Sequence, residues 1–209
     1  MFHVKHLLQK LNLTQGYLRP NSIEANFDKL NIYLELLELW NSKIDLVSPA
    51  KKEILIERHI QDSFAAYLLI SKEVGRINSC LDIGSGAGLP GIIFAILESQ
   101  SDFYLLEPRE KRQIFLKEAK SKLELDNLHL IKSRIEDYKS EAKFDLICSR
   151  ALGIEDIFIQ NAKRLISSKG SICQLLGPTW KGDAQKVIDY SLYKDGPKRK
   201  LVFHVKHSS

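Results

Sequence analysis

CLDIGSGAGLPG, residues Cys80–Gly91, puts four glycines and one proline into twelve positions directly behind a short apolar run. Glycines this dense let a ligand or a second backbone approach closely. The flanking pattern says what scaffold carries them. Downstream, SCLDIG, DFYLLEP, LHLIKS, FDLICSR and GSICQLLG read as strands. Helices run through LPGIIFAILES, REKRQIFLKEAKSKLEL and IEDIFIQNAKRLI, and RIEDYKSEAK is a short connector. Continuously apolar strands alternating with helices predict an α/β fold, a mostly parallel, doubly wound Rossmann-like sheet covered on both faces. Right-handed crossovers then set the glycine loop at the carboxyl end of the first strand, where such sheets bind ligands. A helix near KGDAQKVIDYSL and a basic last strand, KRKLVFHVK, complete the chain.

The first part of the chain is helical in pattern. Phe27, Leu30, Leu34, Leu37 and Trp40 recur at three- and four-residue spacing, one apolar stripe whose start Asn21 or Ser22 can cap. Ser48-Pro49 breaks it, and a second amphipathic helix follows through KEILIERHIQDSFAAYLLI. The division expected is a helical extension, 1–79, packed on a ligand-binding domain, 80–209. The 209 residues hold no apolar run near the roughly 20 a membrane-spanning helix needs, and MFHVKHLLQKLNL is too polar for a signal peptide. A cytoplasmic protein with no membrane partner is expected, and a monomer. Cys80, Cys148 and Cys173 form no CxxC pair and sit in or beside apolar runs, so buried free thiols are expected. The six histidines show no metal-ligand spacing, and no metal is expected. The net charge of +5 permits a polyanionic partner. PREKRQIFLKEAKSK mixes in Glu and reads as a solvated helix face, whereas YKDGPKRKLVFHVKH sets only Asp195 against Lys194, Lys198, Arg199, Lys200 and Lys206 and suits phosphate contacts.

What the glycines bind follows from what accompanies them. A Walker loop needs a GK[ST] end, and none follows Gly86 or Gly91. A dinucleotide is a closer rival: Glu107 ends the second strand about 20 residues on, where a ribose diol is gripped. The spacing here is G-x-G-x-G, however, and Asp82 stands two residues before the first glycine. A carboxylate there repels a pyrophosphate and attracts an ammonium group. A ligand with an amine at one end and an adenosine ribose at the other fits both acids, and S-adenosylmethionine is such a ligand. Gly84, Gly86 and Gly88 would then admit its methionine part, Glu107 its ribose, and Ile135 and Glu136 of SRIEDY its adenine. For Glu107 the plain alternative is a solvated strand end. Pro90 falls early in the next helix, where a missing N–H is tolerated.

With RHIQDS upstream and FDLICSRA downstream, LDIGSGAGLPG resembles the bacterial 16S rRNA guanine-N7 methyltransferase family, once called glucose-inhibited division protein B. The resemblance runs from about Asn21 to Gly177. It implies a class I S-adenosylmethionine-dependent methyltransferase acting on N7 of a guanine in the 530 loop of 16S rRNA, position 527. The acceptor RNA would lie within a small-subunit particle or assembly intermediate. By motif, Gly84, Leu89, Ile135, Glu136 and Arg150 would contact the cofactor, and Arg58, His59, Asp62 and Ser63 would belong to a helix beside the cleft. Three departures stand out: Asp45 in NSKIDLVSP where the family usually has Asn, Leu176 where it often has Lys, and no recognisable C-terminal hairpin. Lys181 could substitute for that lysine.

Guanine N7 carries a lone pair and no hydrogen, so its methylation needs alignment and no general base. The absence of Asn-Pro-Pro-Tyr after the fourth strand, where Ser149-Arg150 stands instead, agrees with a ring-nitrogen acceptor. Arg150 is a candidate for guanine O6, for a phosphate or for the cofactor, the bland alternative being an Arg–Asp pair that fixes the loop. Arg150, His59 and Asp62 are the candidate catalytic residues. His59 lies one helical turn from Asp62 and Ser63, so a purely structural hydrogen bond competes with that role. Phe64 and Tyr67 read as core.

FHVKH occurs twice, at Phe2–His6 and Phe203–His207. As protein, the copies would be edge strands or basic arms. As DNA, TTT CAC GTG AAA is its own reverse complement and resembles the site read by bacterial chromosome-partition proteins, in which case the peptides need no enzymatic role. Other functions on the same scaffold are a small-molecule methyltransferase, a nicotinamide dinucleotide enzyme, and an RNA-binding relative with weakened catalysis.

Overall fold

A computed structural model of the chain describes residues 26–48, 55–150, 155–192 and 196–205. Helix α1, Phe27–Asn41, buries Leu30, Leu34 and Leu37 of the stripe read from the sequence and adds Tyr33 and Leu36, with Phe27 and Trp40 partly buried against the same core. Asn21 and Ser22 lie outside the described residues, as does Pro49. After α1 the Asn41 side-chain oxygen accepts from the backbone N–H groups of Leu46 and Val47, which fixes the turn that follows the helix. A π-helical turn, Ile56–Gln61, runs straight into α2, Asp62–Val74, which stops at Gly75 with φ 75°. Such turns shift the side-chain register by one residue and often mark functional sites. Here His59 and Asp62 line the same cleft.

From Ser79 the predicted alternation follows: β1 Ser79–Ile83, α3 Gly91–Leu97, β2 Asp102–Leu106, α4 Glu110–Lys122, β3 Leu128–Ile131, β4 Phe144–Arg150, α5 Glu155–Leu165 and β5 Ile166–Leu176. Two further strands, β6 Lys186–Ser191 and β7 Lys198–Val205, close the chain. The sheet order is β3-β2-β1-β4-β5-β7-β6, and the first five strands in that order are parallel. Alternate residues of β1 serve opposite faces. Cys80 joins a core built from α1, α2, α3 and α4, including Phe64, Phe94, Phe103 and Phe115. Leu81 and Ile83 join the other, closed by Phe158, Ala162 and Leu165 of α5. The two helices before β1 thus share one apolar cluster with the sheet. All three cysteines are free and buried in neighbouring strands, with 3.8 Å between the Cys80 and Cys148 sulfurs.

The segment expected as a helix near KGDAQKVIDYSL is instead the strand β6, in an antiparallel hairpin with β7. Val187 and Ile188 are β-branched and Tyr190 is aromatic, residues that suit a pleated half-buried surface, and pairing with β7 outweighs the helix-start look of Gly182-Asp183. This hairpin is the C-terminal element that the sequence conceals. β7 also corrects the edge-strand reading of the second FHVKH: it lies between β5 and β6, with Phe203 fully buried and His204 Nε2 2.8 Å from Oε1 of Gln174. The first copy, together with Lys206 and His207, is outside the described residues.

Candidate active site

The glycine loop leaves β1 at its carboxyl end and turns sharply, with φ of 71°, 59° and 80° at Gly84, Gly86 and Gly88. Side chains are barred here for two reasons. Positive φ strains any L-residue, and a Cβ on Gly88 would sit 2.4 Å from Cδ1 of Ile92. At Gly91 the obstacle is proximity alone, since a Cβ would lie 2.2 Å from Leu105 Cδ2. Pro90 occupies the cap position before Gly91.

Three side chains brace this loop. Oδ2 of Asp82 accepts from the Gly91 N–H at 3.0 Å. Glu107, at the end of β2, accepts from the Gly86 N–H through Oε2 and from the Arg109 N–H through Oε1, each at 2.9 Å, with Arg112 Nη1 3.6 Å from Oε2. Tyr33 of α1 donates its buried hydroxyl to the Ala87 carbonyl at 2.8 Å. Glu107 is therefore no solvated strand end: it is 2% exposed and ties the second strand to the loop. Asp82 is 1% exposed and lies beneath the loop, where its Oδ1 has no hydrogen-bond partner. Burial pushes the Asp82 carboxyl up to about 7, against the pull of the Gly91 N–H and the Arg150 guanidinium.

Two adjoining clefts meet at Gly84, Arg109 and Arg112. The smaller, about 320 Å³, is lined by Glu107, Ile135, Glu136, Pro108 and Phe158 among others. Three of the sequence-derived cofactor residues, from the second and third strand ends, thus come together in it. The larger, about 620 Å³, is lined by Gly86, Leu89, His59, Asp62, Arg150 and Arg199 among others, with Leu46–Ser48 and Leu175–Gly177 at its walls. The three candidate catalytic residues all line it. Gly88 and Asp82 line neither cleft; one shapes the loop and the other underlies it. The side chain of Arg58 lies outside the described residues, and Ser63 donates to the His59 carbonyl at 2.7 Å, a bond inside the helix.

The charge arrangement in the larger cleft was hidden from the sequence. Asp62, 6% exposed, accepts from the Tyr190 hydroxyl at 2.8 Å, and Nε of Arg199 is 2.8 Å from the same Oδ1. Burial raises the Asp62 carboxyl, while Arg199, Tyr190 and Arg150 draw it back down. Burial likewise lowers Arg150, whose charge is supported by Asp62, Tyr33 and Asp82. Arg199 thus turns inward to an ion pair, whereas the basic tail suggested an outward phosphate contact. Behind the wall, Gln174 donates to Ser149 Oγ at 3.0 Å, a fully buried polar pair beside Arg150. Tyr33 and Tyr190 are the residues sequence reasoning missed, and Arg199 was read only as one base of the tail. A tyrosine on an otherwise apolar buried stripe, which must find a partner for its hydroxyl, was the one available signal for Tyr33.

Residues 26–206 match the family model described as rRNA small subunit methyltransferase G (GidB). The chain belongs to this family. Relatives named ribosomal RNA small subunit methyltransferase G include one from Helicobacter pylori strain J99, 40% identical over 68% of this chain and 76% of the relative. Another, from Helicobacter acinonychis, is 38% identical over 79% of this chain and 86% of its own length. Among solved structures, an rRNA methylase from Streptococcus thermophilus superposes with a TM-score of 0.50 at 12% identity, over 68% of this chain and 95% of that one. At that identity the likeness speaks for a Rossmann-like fold alone. This rRNA methyltransferase is thus a member of the family its motifs resembled. Among the described residues no group of three or more His, Cys, Asp or Glu is placed to hold a metal ion, and no helix is long and apolar enough to cross a membrane.

Proposed function

We propose that this chain transfers a methyl group from S-adenosylmethionine to N7 of a guanine in the 530 loop of 16S rRNA, presented within a small-subunit particle or an assembly intermediate. The observation that carries the donor's identity is the unpartnered Oδ1 of Asp82, a buried carboxylate oxygen beneath the glycine loop. A negative charge there suits a ligand that is cationic at both amine and sulfur and disfavours a pyrophosphate. Glu107 suits the ribose diol, because each carboxylate oxygen holds one backbone N–H and retains a further lone pair. Ile135, 9% exposed, offers an apolar flank for adenine, with Glu136 beside it.

S-adenosylmethionine supplies a methyl carbon on a cationic sulfur: the N7 lone pair forms the new N–C bond as the S–C bond breaks, sulfur keeps that electron pair, and the positive charge passes to the purine without loss of a proton. The protein's work is alignment and charge placement. Tyr33, Asp82 and Glu107 hold the loop in shape from three sides. Arg150, whose charge the carboxylates of Asp62 and Asp82 both support, lines the larger cleft beside the glycine loop and cannot act as a base at neutral pH. His59 and Leu175–Gly177 form the walls against which the target base is confined. Net positive charge supplies salt-dependent affinity for RNA while RNA shape supplies selectivity.

Mapping N7-methylguanine in 16S rRNA from cells with and without the gene tests this directly. Loss of one mark on deletion, restored by purified protein and S-adenosylmethionine acting on small-subunit particles, is the expected result. An unchanged set of marks would refute it.

A further inference from the structure

The proposed reaction leaves one question at the acceptor: how guanine is told from adenine, which also has an exposed N7. Beside that nitrogen guanine carries O6, an acceptor, and adenine carries N6, a donor. A fixed donor facing this edge would discriminate between them.

We infer that Arg199 is this donor, reading guanine O6 through the edge of its guanidinium that Asp62 leaves free. Arg199 lines the larger cleft with Arg150, Asp62 and the glycine loop. Its Nε lies 2.8 Å from Oδ1 of Asp62, an ion pair without hydrogen-bond alignment, and both Nε and Nη2 are buried without a hydrogen-bond partner. A buried donor left unpaired is costly unless a ligand completes it. The orientation of the group is not free, because Asp62 is itself fixed by the 2.8 Å bond from Tyr190 and by its place at the π-to-α junction.

The anchoring also answers a difficulty. An unconstrained arginine docks on both O6 and N7 of guanine, which would occupy the lone pair that must attack. The Asp62 carboxylate, 2.8 Å from Nε, fixes the direction of the guanidinium, and Nη2, a buried donor without a partner, serves O6 while N7 stays open. Asp62 contributes a second effect. The purine gains positive charge on methylation, and the Asp62 carboxylate beside Arg199 offsets repulsion from the guanidinium. Arg199 is thus a specificity-determining residue and Asp62 a positioning residue that acts through it.

This inference rests on the proposed guanine-N7 reaction, and its test separates the two. Small-subunit particles carrying either guanosine or 2-aminopurine riboside, which lacks O6, at the mapped target are offered to the wild type and to Arg199→Gln. Initial rates of methyl transfer are compared, and calorimetric binding of S-adenosylmethionine serves as the check on folding. Expected is a roughly ten- to hundredfold slower reaction of wild type on the O6-deleted base, the range for losing a charge-assisted contact. In Arg199→Gln the guanosine rate falls by a similar factor and the difference between the two bases shrinks to the intrinsic reactivity gap. Wild type treating the two bases alike would overturn the inference. So would a variant slowed equally on both bases with a flatter salt dependence, the signature of a phosphate contact. Should Arg199→Gln lose donor binding, Arg199→Lys, which keeps the charge beside Asp62 but not the planar donor edge, must lose discrimination in the same way. Absence of N7 methylation by wild type on guanosine particles would instead refute the proposed reaction.

Discussion

The substitution Asp82→Asn separates what this carboxylate does for binding from what it costs the fold. The amide side chain keeps an oxygen for the Gly91 N–H, which Oδ2 now holds at 3.0 Å, and puts a neutral group where Oδ1 has no partner. In the wild type, burial lifts this group from 3.8 to about 7. Between those values the native state binds more protons than the unfolded one, so stability falls as pH rises and the loss is complete above about 7. At about 1.36 kcal/mol per pH unit, that span costs about 4 kcal/mol above neutrality and less than half as much at about pH 5. The amide variant escapes it. For a chain of this length the gain corresponds to a Tm higher by roughly 5–15 °C at about pH 8.5, with the gap closing toward acid. Binding moves the other way: without the negative charge beneath the loop, S-adenosylmethionine affinity falls by roughly ten- to a hundredfold. Scanning calorimetry from about pH 5 to 8.5 and titration calorimetry with the donor measure both. A variant that melts below wild type at the alkaline end, or whose advantage grows toward acid, or that binds the donor normally, would contradict the reasoning.

Other perturbations follow from the same geometry. Arg150→Ala should cut methyl transfer by roughly two orders of magnitude or more while the far-ultraviolet dichroism stays native, because Arg150 lies within the fields of Asp62 and Asp82 at the cleft; near-normal turnover would remove it from the site. Tyr33→Phe loses the 2.8 Å bond to Ala87 and leaves that buried carbonyl unsatisfied, so stability should drop by about 1–3 kcal/mol and donor affinity severalfold, read by denaturant titration and calorimetry. Gly91→Ala would drive a methyl group to 2.2 Å from Leu105, costing about 1–3 kcal/mol, and should be visible as a lowered denaturation midpoint. Wild-type donor affinity should weaken as pH falls below about 7, since Asp82 must be ionised to attract the cation; a flat pH profile from about 8 to 6 would count against this.

Most of the scaffold was legible because its signals are local. Continuous apolar runs at Cys80, Phe103 and Phe144 can hardly be other than interior strands, and the glycine run needs backbone freedom that only a tight loop uses. The helix expected around Val187 failed because strand and helix propensities are weak priors there, and pairing with β7 is a tertiary fact. At the site, Gly84, Glu107, Ile135 and Arg150 could be found because each stands at or just past a strand end, where the topology rule gives residues a common destination. Arg199 and Tyr190 could not. They meet Asp62 across separations of more than a hundred residues, and in the sequence one is an ordinary base in a basic tail and the other an aromatic in an amphipathic segment.

The clasp between Asp62 and the last hairpin also sets an order of events during synthesis. The glycine loop, its three braces and the lining of the smaller cleft are all encoded by the time α5 has emerged. One wall of the larger cleft waits for Lys198–Val205, the final strand described. A nascent chain stalled before that strand would hold the lining of the smaller cleft but lack the Arg199 wall of the larger, so the two clefts would be completed one after the other.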